Sequence, residues 1–178
     1  MGKVLVAYYS LTGRTQRMAD FIAEGIRFTE HQAVVKKMSD LKTAEDLNGY
    51  DGYIFGSPTY HHDMAGPVKN WLFVAREGDL KGKLAGAFGS YTHSGDAPKM
   101  VLDTMQYVYK MRPFYLGSFR LLEAKVETQE GMRGCHDYGR TFGEKLMEPW
   151  TEAEQAAADT ESAGEGVLPA EPENWALT

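Results

Sequence analysis

The chain has 178 residues, of which 43% are hydrophobic and 12% aromatic, as is typical of one globular domain with a tail. Its net charge of −6 comes from residues 149–178, which carry seven acidic and no basic side chains, whereas residues 1–148 carry 18 acidic and 19 basic ones. The nearly neutral main part argues against nucleic-acid binding, and no apolar run is long enough for membrane insertion. The single cysteine, Cys135, excludes an internal disulfide, and with an N-terminus unlike a signal peptide it predicts a cytoplasmic protein.

The first predicted unit is a strand, a turn and a helix. A continuous apolar run at Lys3–Tyr9 is typical of a strand that is buried on both faces of a parallel sheet. Apolar residues then recur at helical spacing, at Met18, Ile22 and Ile26, with charged residues between them. A weaker strand is predicted next, at Gln32–Met38.

The alternation of strands and helices continues to residue 148. Further strands are predicted at Gly52–Ser57, at Lys83–Tyr91 and within Phe114–Val126. Pro67 and Pro98 each begin a helix. The last three helices present apolar faces formed by Val68, Trp71 and Leu72, by Val101, Met105 and Val108, and by Cys135, Tyr138, Phe142 and Leu146. This pattern predicts an α/β fold over residues 1–148, a three-layer, doubly wound domain around a five-stranded parallel sheet.

Residues 149–178 form an acidic segment rich in Ala, Glu and Pro, which we expect to be partly disordered or docked on the domain. The stretch Thr151–Glu154 fits a capping box that begins a short helix. Trp150 and Trp175 are the residues of this tail that are suited to docking.

Three polar loops follow the first, third and fourth predicted strands, at Ser10–Thr15, Ser57–Met64 and Ser90–Ala97. Because ligands of open parallel sheets bind at the carboxyl ends of the strands, these loops are the candidate site. The first loop offers three hydroxyl groups, backbone N–H groups near Gly13 and a helix N-terminus, which together suit a phosphate monoester. It has neither a P-loop lysine nor a dinucleotide-binding glycine pattern. The alternative is an ordinary strand-to-helix turn capped by a hydroxyl.

The second and third loops each contain one tyrosine, Tyr60 and Tyr91. Two tyrosines beside a phosphate loop favour the binding of a flat aromatic ring. These loops also contain three histidines, and we expect His61 and His93 to contact the ligand in preference to His62. Because the sequence has no His/Cys ligand set, no metal site is predicted.

The three loops resemble those of the flavodoxin family, and the similarity extends over about residues 1–148. The stretch SLTGRT is similar to the phosphate loop of the family, and GSPTY and GSYTHSGDA are similar to its two flavin loops. The resemblance implies the cofactor FMN and the strand order 2-1-3-4-5, without the extra loop that splits the last strand of long-chain flavodoxins. The cofactor-binding residues that it implies are Ser10, Leu11, Thr12, Gly13, Arg14 and Thr15 in the first loop, Pro58, Thr59, Tyr60 and His61 in the second, and Ser90, Tyr91, Thr92, His93 and Gly95 in the third.

In function, the resemblance implies an FMN-binding electron-transfer protein that serves a redox partner protein or a small quinone. The alternative is an FMN-dependent NAD(P)H:quinone oxidoreductase, because the pattern of SPT, Met64 and KNWL is similar to those enzymes too. The chain lacks the long insertion that completes the pocket of tetrameric quinone reductases, so carrier function is favoured. Its oligomeric state stays open. A phospho-accepting receiver domain is excluded, because Ser10–Thr12 and Gly56–Pro58 occupy its acidic positions.

One position of the second loop departs from the flavodoxin pattern. Flavodoxins commonly place a glycine there, and a flip of its peptide stabilises the one-electron-reduced flavin. This chain has His62, and a non-glycine residue resists the positive φ that such a flip often requires. We therefore expect weak stabilisation of the one-electron state and transfer of electrons in pairs.

Overall fold

The structure, a computed structural model, describes residues 1–156 and divides the chain into the units Met1–Glu148 and Pro149–Thr178. In the first unit the strands, in chain order, are β1 (Lys3–Tyr8), β2 (Gln32–Lys37), β3 (Gly52–Gly56), β4 (Thr59–Tyr60), β5 (Asp63–Met64), β6 (Leu84–Tyr91), β7 (Arg112–Pro113) and β8 (Phe119–Leu122). The main sheet runs β2-β1-β3-β6, with β7 and β8 both paired to β6 and every pair parallel. The predicted order 2-1-3-4-5 is confirmed, with the fifth strand in two pieces.

The helices of this unit are α1 (Arg14–Arg27), α2 (Gly66–Ala75), α3 (Ala97–Asp103) and α4 (Gln129–Leu146), with short 3₁₀ turns at Met38–Asp40, Ala44–Leu47 and Glu123–Lys125. Alternate residues of β1 point to opposite faces of the sheet, so Val4 packs with α1 and α4 while Leu5 packs with α2 and α3. Both residues are fully buried. The continuous apolar runs therefore arise because helices cover both faces of the sheet, and the predicted three-layer α/β fold is confirmed.

The helix that begins near Pro98 differs from the prediction at its C-terminal end. After α3 the chain continues as a π-helical turn, Thr104–Val108, in which the Tyr109 N–H bonds to the Thr104 carbonyl. This extra residue rotates the following side chains, and Val108 is 56% exposed. The prediction that Val108 lies on the buried face is therefore wrong. Tyr109 is buried instead, and its hydroxyl donates to the Leu72 carbonyl of α2.

The fifth strand is interrupted between β7 and β8. A turn closes there through the Gly117 N–H and the Phe114 carbonyl, 2.8 Å apart, with Gly117 at φ +71°. The Tyr138 hydroxyl lies 2.8 Å from the Gly117 carbonyl and 3.3 Å from the Ala87 carbonyl of β6. A side chain of α4 thus hydrogen-bonds where the strand ladder is broken. The strand begins at Arg112, earlier than the predicted Phe114, because the short β7 precedes the turn.

In the second unit the described residues include a helical segment at 152–156. The Glu154 N–H donates to the Thr151 hydroxyl at 3.2 Å, and the Thr151 N–H donates to the Glu154 carboxylate at 2.9 Å. This reciprocal pair is the predicted capping box. The expectation of a partly disordered or docked tail falls mainly on residues 157–178, including Trp175, which lie outside the described residues.

Candidate functional site

The three predicted loops meet at the carboxyl edge of the sheet. The Thr15 hydroxyl, in the first turn of α1, lies 3.0 Å from the Ser90 hydroxyl near the end of β6. The Ala97 N–H, at the start of α3, donates to the Thr59 hydroxyl of β4 at 3.1 Å. These bonds join the first loop to the third and the third to the second. The expectation that the loops form one site therefore has direct geometric support.

The first loop combines a left-handed glycine with the N-terminus of α1. Gly13, which precedes α1, has φ +91°, a conformation that favours glycine, and a Cβ atom placed on it would meet nothing within 4 Å. Its N–H donates to the Ser10 hydroxyl at 3.0 Å, which leaves the Ser10 O–H proton free to point elsewhere. The first turn of α1 contains no acidic residue. Hydroxyls and a helix N-terminus without a neighbouring carboxylate in the helix suit an anion.

Two side chains of the first loop bind carboxylates that sequence reasoning missed. The Thr12 hydroxyl donates to Glu123 at 3.1 Å, and Arg14 donates to Glu127. Both acids come from the segment that follows β8, more than 100 residues further along the chain, so local sequence gave no signal of these contacts. Leu11, which we also assigned to the cofactor site, is 71% exposed.

A cavity of about 330 Å³ lies between the second and third loops. Its lining residues are Thr59, Tyr60, His61, His62, Thr92, His93 and Ser94. This volume falls within the range of small-molecule sites. All three histidines of the loops line it, so His62, for which less contact is expected, lies at the cavity as His61 and His93 do. Partial burial raises the pKa of Tyr60, and Tyr9 and Glu123 add to the shift.

Other predicted residues lie beside this cavity rather than on its lining. Pro58 is a buried residue at the start of the second loop. Tyr91 packs against Arg120, whose guanidinium carbon is 6.0 Å from the ring centroid. Gly95 accepts a long hydrogen bond from Arg120 at 3.5 Å, and a Cβ atom on Gly95 would lie 2.5 Å from Arg120 Cδ and 3.0 Å from the Tyr91 ring. Gly95 therefore lets the third loop pass close to both side chains.

The second loop is a tight hairpin, and its backbone corrects one of our expectations. β4 and β5 pair antiparallel, and the two residues between them, His61 and His62, have φ of +49° and +62°. Two consecutive positive φ values are those of a type I′ hairpin turn. His62 thus already adopts the positive φ that we expected it to resist. The steric argument for weak stabilisation of the one-electron-reduced flavin is therefore wrong.

His62 also connects the hairpin to the third loop. Its Nδ1 atom lies 3.1 Å from the Asp96 carboxylate. Hydrogen bonds with the side chains of Ser94 and His62 hold the pKa of Asp96 below its usual value. Asp96 is therefore an anion at neutral pH, and it faces the exposed turn from the adjacent loop.

Within residues 1–156, no group of three or more His, Cys, Asp or Glu side chains is placed to hold a metal ion. The described helices are also too short or too polar to cross a bilayer. The side chains that meet at the joined loops carry hydroxyls, aromatic rings, imidazoles and the carboxylates of Asp96, Glu123 and Glu127.

The fold and the candidate site define a class of protein: a doubly wound α/β domain whose polar loops meet at the carboxyl edge of a parallel sheet, where such folds bind ligands. Residues 6–136 match the protein family described as Flavodoxin. The chain is 34% identical over 151 residues to a flavodoxin from Clostridium saccharobutylicum, covering 81% of this chain and 94% of that protein. The chain belongs to the flavodoxin family.

Structural comparison agrees with this assignment. The fold matches that of a flavodoxin from the domain Archaea with a TM-score of 0.72 at 25% identity, covering 82% of this chain and 99% of the other. A partial similarity links the chain to an NAD(P)H dehydrogenase (quinone) from Rhodopseudomonas palustris. It is 34% identical over 113 residues, which span 51% of this chain and 57% of that protein.

Proposed function

We propose that this chain is an FMN-binding electron-transfer protein. The observation that carries the proposal is the joining of three loops into one site, through the Thr15–Ser90 contact and the Thr59–Ala97 hydrogen bond. Membership of the flavodoxin family supports the same conclusion. FMN supplies one- and two-electron redox chemistry when bound, and the protein supplies binding, orientation and electrostatics.

The donors of the first loop fit the phosphate group. Gly13 leaves open space beside the N-terminus of α1, and Ser10 has an O–H proton that its bond from Gly13 does not use. We assign phosphate binding to Ser10, Thr12, Thr15 and the N–H groups that begin α1. A dianion at this position is favoured by the helix dipole as well as by the hydrogen bonds.

The cavity between the other two loops fits the aromatic part of the cofactor. We assign Tyr60 to a ring contact, because it lines the cavity and keeps 37% of its surface exposed. Tyr91 provides a second aromatic surface at the end of β6, held by Arg120. The neighbouring histidines His61 and His93 can donate to acceptor atoms at the ring edge. The partner that exchanges electrons is then a redox protein or a small quinone.

An NAD(P)H-dependent quinone reductase is the second candidate. It is favoured by the partial similarity to the Rhodopseudomonas palustris enzyme. The flavodoxin relative is matched over nearly its whole length, whereas the quinone enzyme is matched over little more than half. The carrier is therefore the primary proposal.

A titration of the purified chain tests both candidates. For a carrier we expect saturable binding of FMN, reduction by dithionite under anaerobic conditions, and no rapid reduction by NADH or NADPH. Bleaching by either nucleotide at catalytic speed, together with turnover of a small quinone, would assign the enzyme instead. Failure of the colourless polypeptide to bind FMN would reject both candidates.

A further inference from the structure

Two carboxylates occupy the first loop from outside it. Glu123 accepts the hydrogen bond of the Thr12 hydroxyl, and its Oε1 atom lies 3.9 Å from Arg14 Nε. Glu127 accepts a hydrogen bond from the Arg14 guanidinium. Thr12 and Arg14 are the residues of SLTGRT whose side chains bind acids in this way. The loop is therefore complementary to an anion at its centre but is contacted by two anions at its edge.

The backbone that carries these carboxylates is anchored. Val126, between them, is fully buried. Thr128 caps α4, because its hydroxyl accepts from the Gly131 N–H at 3.1 Å and donates to the Lys125 carbonyl at 2.7 Å. Glu123 and Glu127 are thus held beside the first loop by core packing and a helix cap, although their side chains remain 34% and 60% exposed. A phosphate that binds this loop meets both charges nearby.

The two acids oppose a bound phosphate in two ways. They accept hydrogen bonds from the Thr12 hydroxyl and the Arg14 guanidinium, and a phosphate could use both of these donors. They also add like charge near a dianion, a repulsion that persists over several ångströms in partly exposed surroundings. Glu123 is close enough to the second loop to contribute to the raised pKa of Tyr60, so its charge is felt across the site.

We propose that Glu123 and Glu127 are positioning residues that compete with the FMN phosphate for Thr12 and Arg14 and thereby lower the affinity of the chain for FMN. This inference rests on the proposed function. It makes the affinity for FMN depend on residues outside the three loops of the candidate site. Riboflavin, which has no phosphate, isolates the effect, because the competition applies only to the phosphate end of the ligand.

The test measures the dissociation constants of FMN and riboflavin for the full chain and its variants by flavin titration. Glu123→Gln removes the charge and weakens the hydrogen bond that holds the Thr12 hydroxyl, because a neutral amide oxygen is a poorer acceptor than a carboxylate. Glu127→Gln does the same beside Arg14. We expect each variant to bind FMN about three- to tenfold more tightly and riboflavin within about twofold of wild type. Glu130→Gln is the matched control, because Glu130 is on the same segment, 84% exposed and 3.6 Å from Lys125. It should change neither constant by more than about twofold.

A double-mutant cycle distinguishes two effects of Glu127→Gln: freeing the Arg14 guanidinium to bind the phosphate, and removing a negative charge near the phosphate. Arg14→Gln should weaken FMN binding by less than about twofold in wild type, where Glu127 holds the guanidinium, and by at least about fivefold in the Glu127→Gln background. An equal loss in both backgrounds would overturn the competition at Arg14. Circular dichroism and thermal melting of each variant check that the fold is retained.

The outcomes distinguish this inference from the proposed function. If wild type binds FMN and both glutamine variants bind it equally well or more weakly, the inference fails but the proposed function stands. A change that is equal for FMN and riboflavin also overturns it, since the effect would not involve the phosphate. If wild type binds neither flavin, the proposed function fails and the inference fails with it.

Discussion

The hydroxyl of Thr15 lies 3.0 Å from the hydroxyl of Ser90, and both residues are buried. This contact connects the first turn of α1 with the end of β6, although 75 positions separate the two residues in the chain. A buried hydroxyl that loses its partner destabilises the folded state, so this pair both holds the first and third loops together and keeps their donors in place.

Replacing Thr15 with valine should lower both stability and phosphate affinity. Thr15→Val keeps the shape of the side chain but leaves the Ser90 hydroxyl without this partner, which costs about 1–2 kcal/mol of unfolding free energy. We expect FMN affinity to fall about tenfold, as for a lost hydrogen bond to a charged group, and riboflavin affinity to fall less. Urea unfolding of the apoprotein and flavin titration measure the two effects.

The control for this change is Thr104→Val. The Thr104 hydroxyl donates to the Met100 carbonyl at 3.0 Å, in the π-helical turn after α3 rather than in a flavin loop. Its replacement should leave both flavin affinities unchanged. Equal losses of FMN and riboflavin binding in Thr15→Val would contradict the assignment of this hydroxyl to the phosphate.

Replacing the tyrosines should weaken the binding of FMN and riboflavin alike, unlike the replacement of Thr15. Tyr60→Leu and Tyr91→Leu remove aromatic surfaces assigned to the ring of the cofactor and leave the first loop intact. We expect each to weaken FMN and riboflavin binding by a similar factor, about three- to tenfold. Tyr115→Leu is the control, because Tyr115 is 64% exposed in the turn between β7 and β8. A loss confined to FMN would contradict the ring assignment.

The sheet could be predicted from the sequence because its central strands are buried on both faces and therefore form continuous apolar runs. β1, β3 and β6 are covered by helices on both faces, so their residues form continuous apolar runs. Each run ends in hydroxyl-bearing residues at the same edge, which allowed the three loops to be identified as one candidate site. Neither inference required knowledge of distant contacts.

Other features of the site depend on contacts that no local pattern records. Glu123 and Glu127 reach the first loop from positions 111 and 113 residues further along the chain, where the sequence pattern marks only the end of the fifth strand and the polar residues after it. The positive φ values of His61 and His62 were missed because such turns favour asparagine and glycine. The exposed position of Val108 follows from one extra residue in a helical turn, which the 3.6-residue period does not reveal.

The close packing of α1 on α4 gives a stability prediction away from the site. A Cβ atom on Gly139 of α4 would lie 2.0 Å from the Ile22 carbonyl oxygen of α1. Since the obstacle is backbone, Gly139→Ala must move one helix, and we expect a loss of about 3 kcal/mol in unfolding free energy. Gly66→Ala is the control, because a Cβ there meets nothing within 4 Å apart from its chain neighbours and its own helix. Gly66 begins α2 and precedes Pro67, so alanine gains little helix propensity there, and the unfolding free energy should change by at most about 1 kcal/mol in either direction. Similar urea midpoints for the two variants would contradict this account.

The buried thiol of Cys135 predicts how stability changes at alkaline pH. Burial in the core raises the pKa of Cys135 from 9.0 to about 12. Between these values the unfolded chain loses a proton that the folded chain keeps. The neutral thiol therefore makes its full contribution to the unfolding free energy well below pH 9.0. This contribution is lost as pH rises towards 12, by up to about 1.4 kcal/mol per pH unit.

Cys135→Ala should remove this part of the pH dependence. Unfolding free energies of wild type and variant, measured in urea with a reducing agent at pH 7, 8, 9 and 10, should differ by a constant amount up to about pH 8, because the smaller side chain leaves a cavity at every pH. The difference should then shrink towards pH 10, as wild type alone loses the thiol contribution. Burial also raises the pKa of Tyr53 to about 12, but from an ordinary value of 10.0 and in both proteins, so it cancels in the comparison. Parallel curves for the two proteins between pH 9 and 10 would show that the thiol does not carry this dependence.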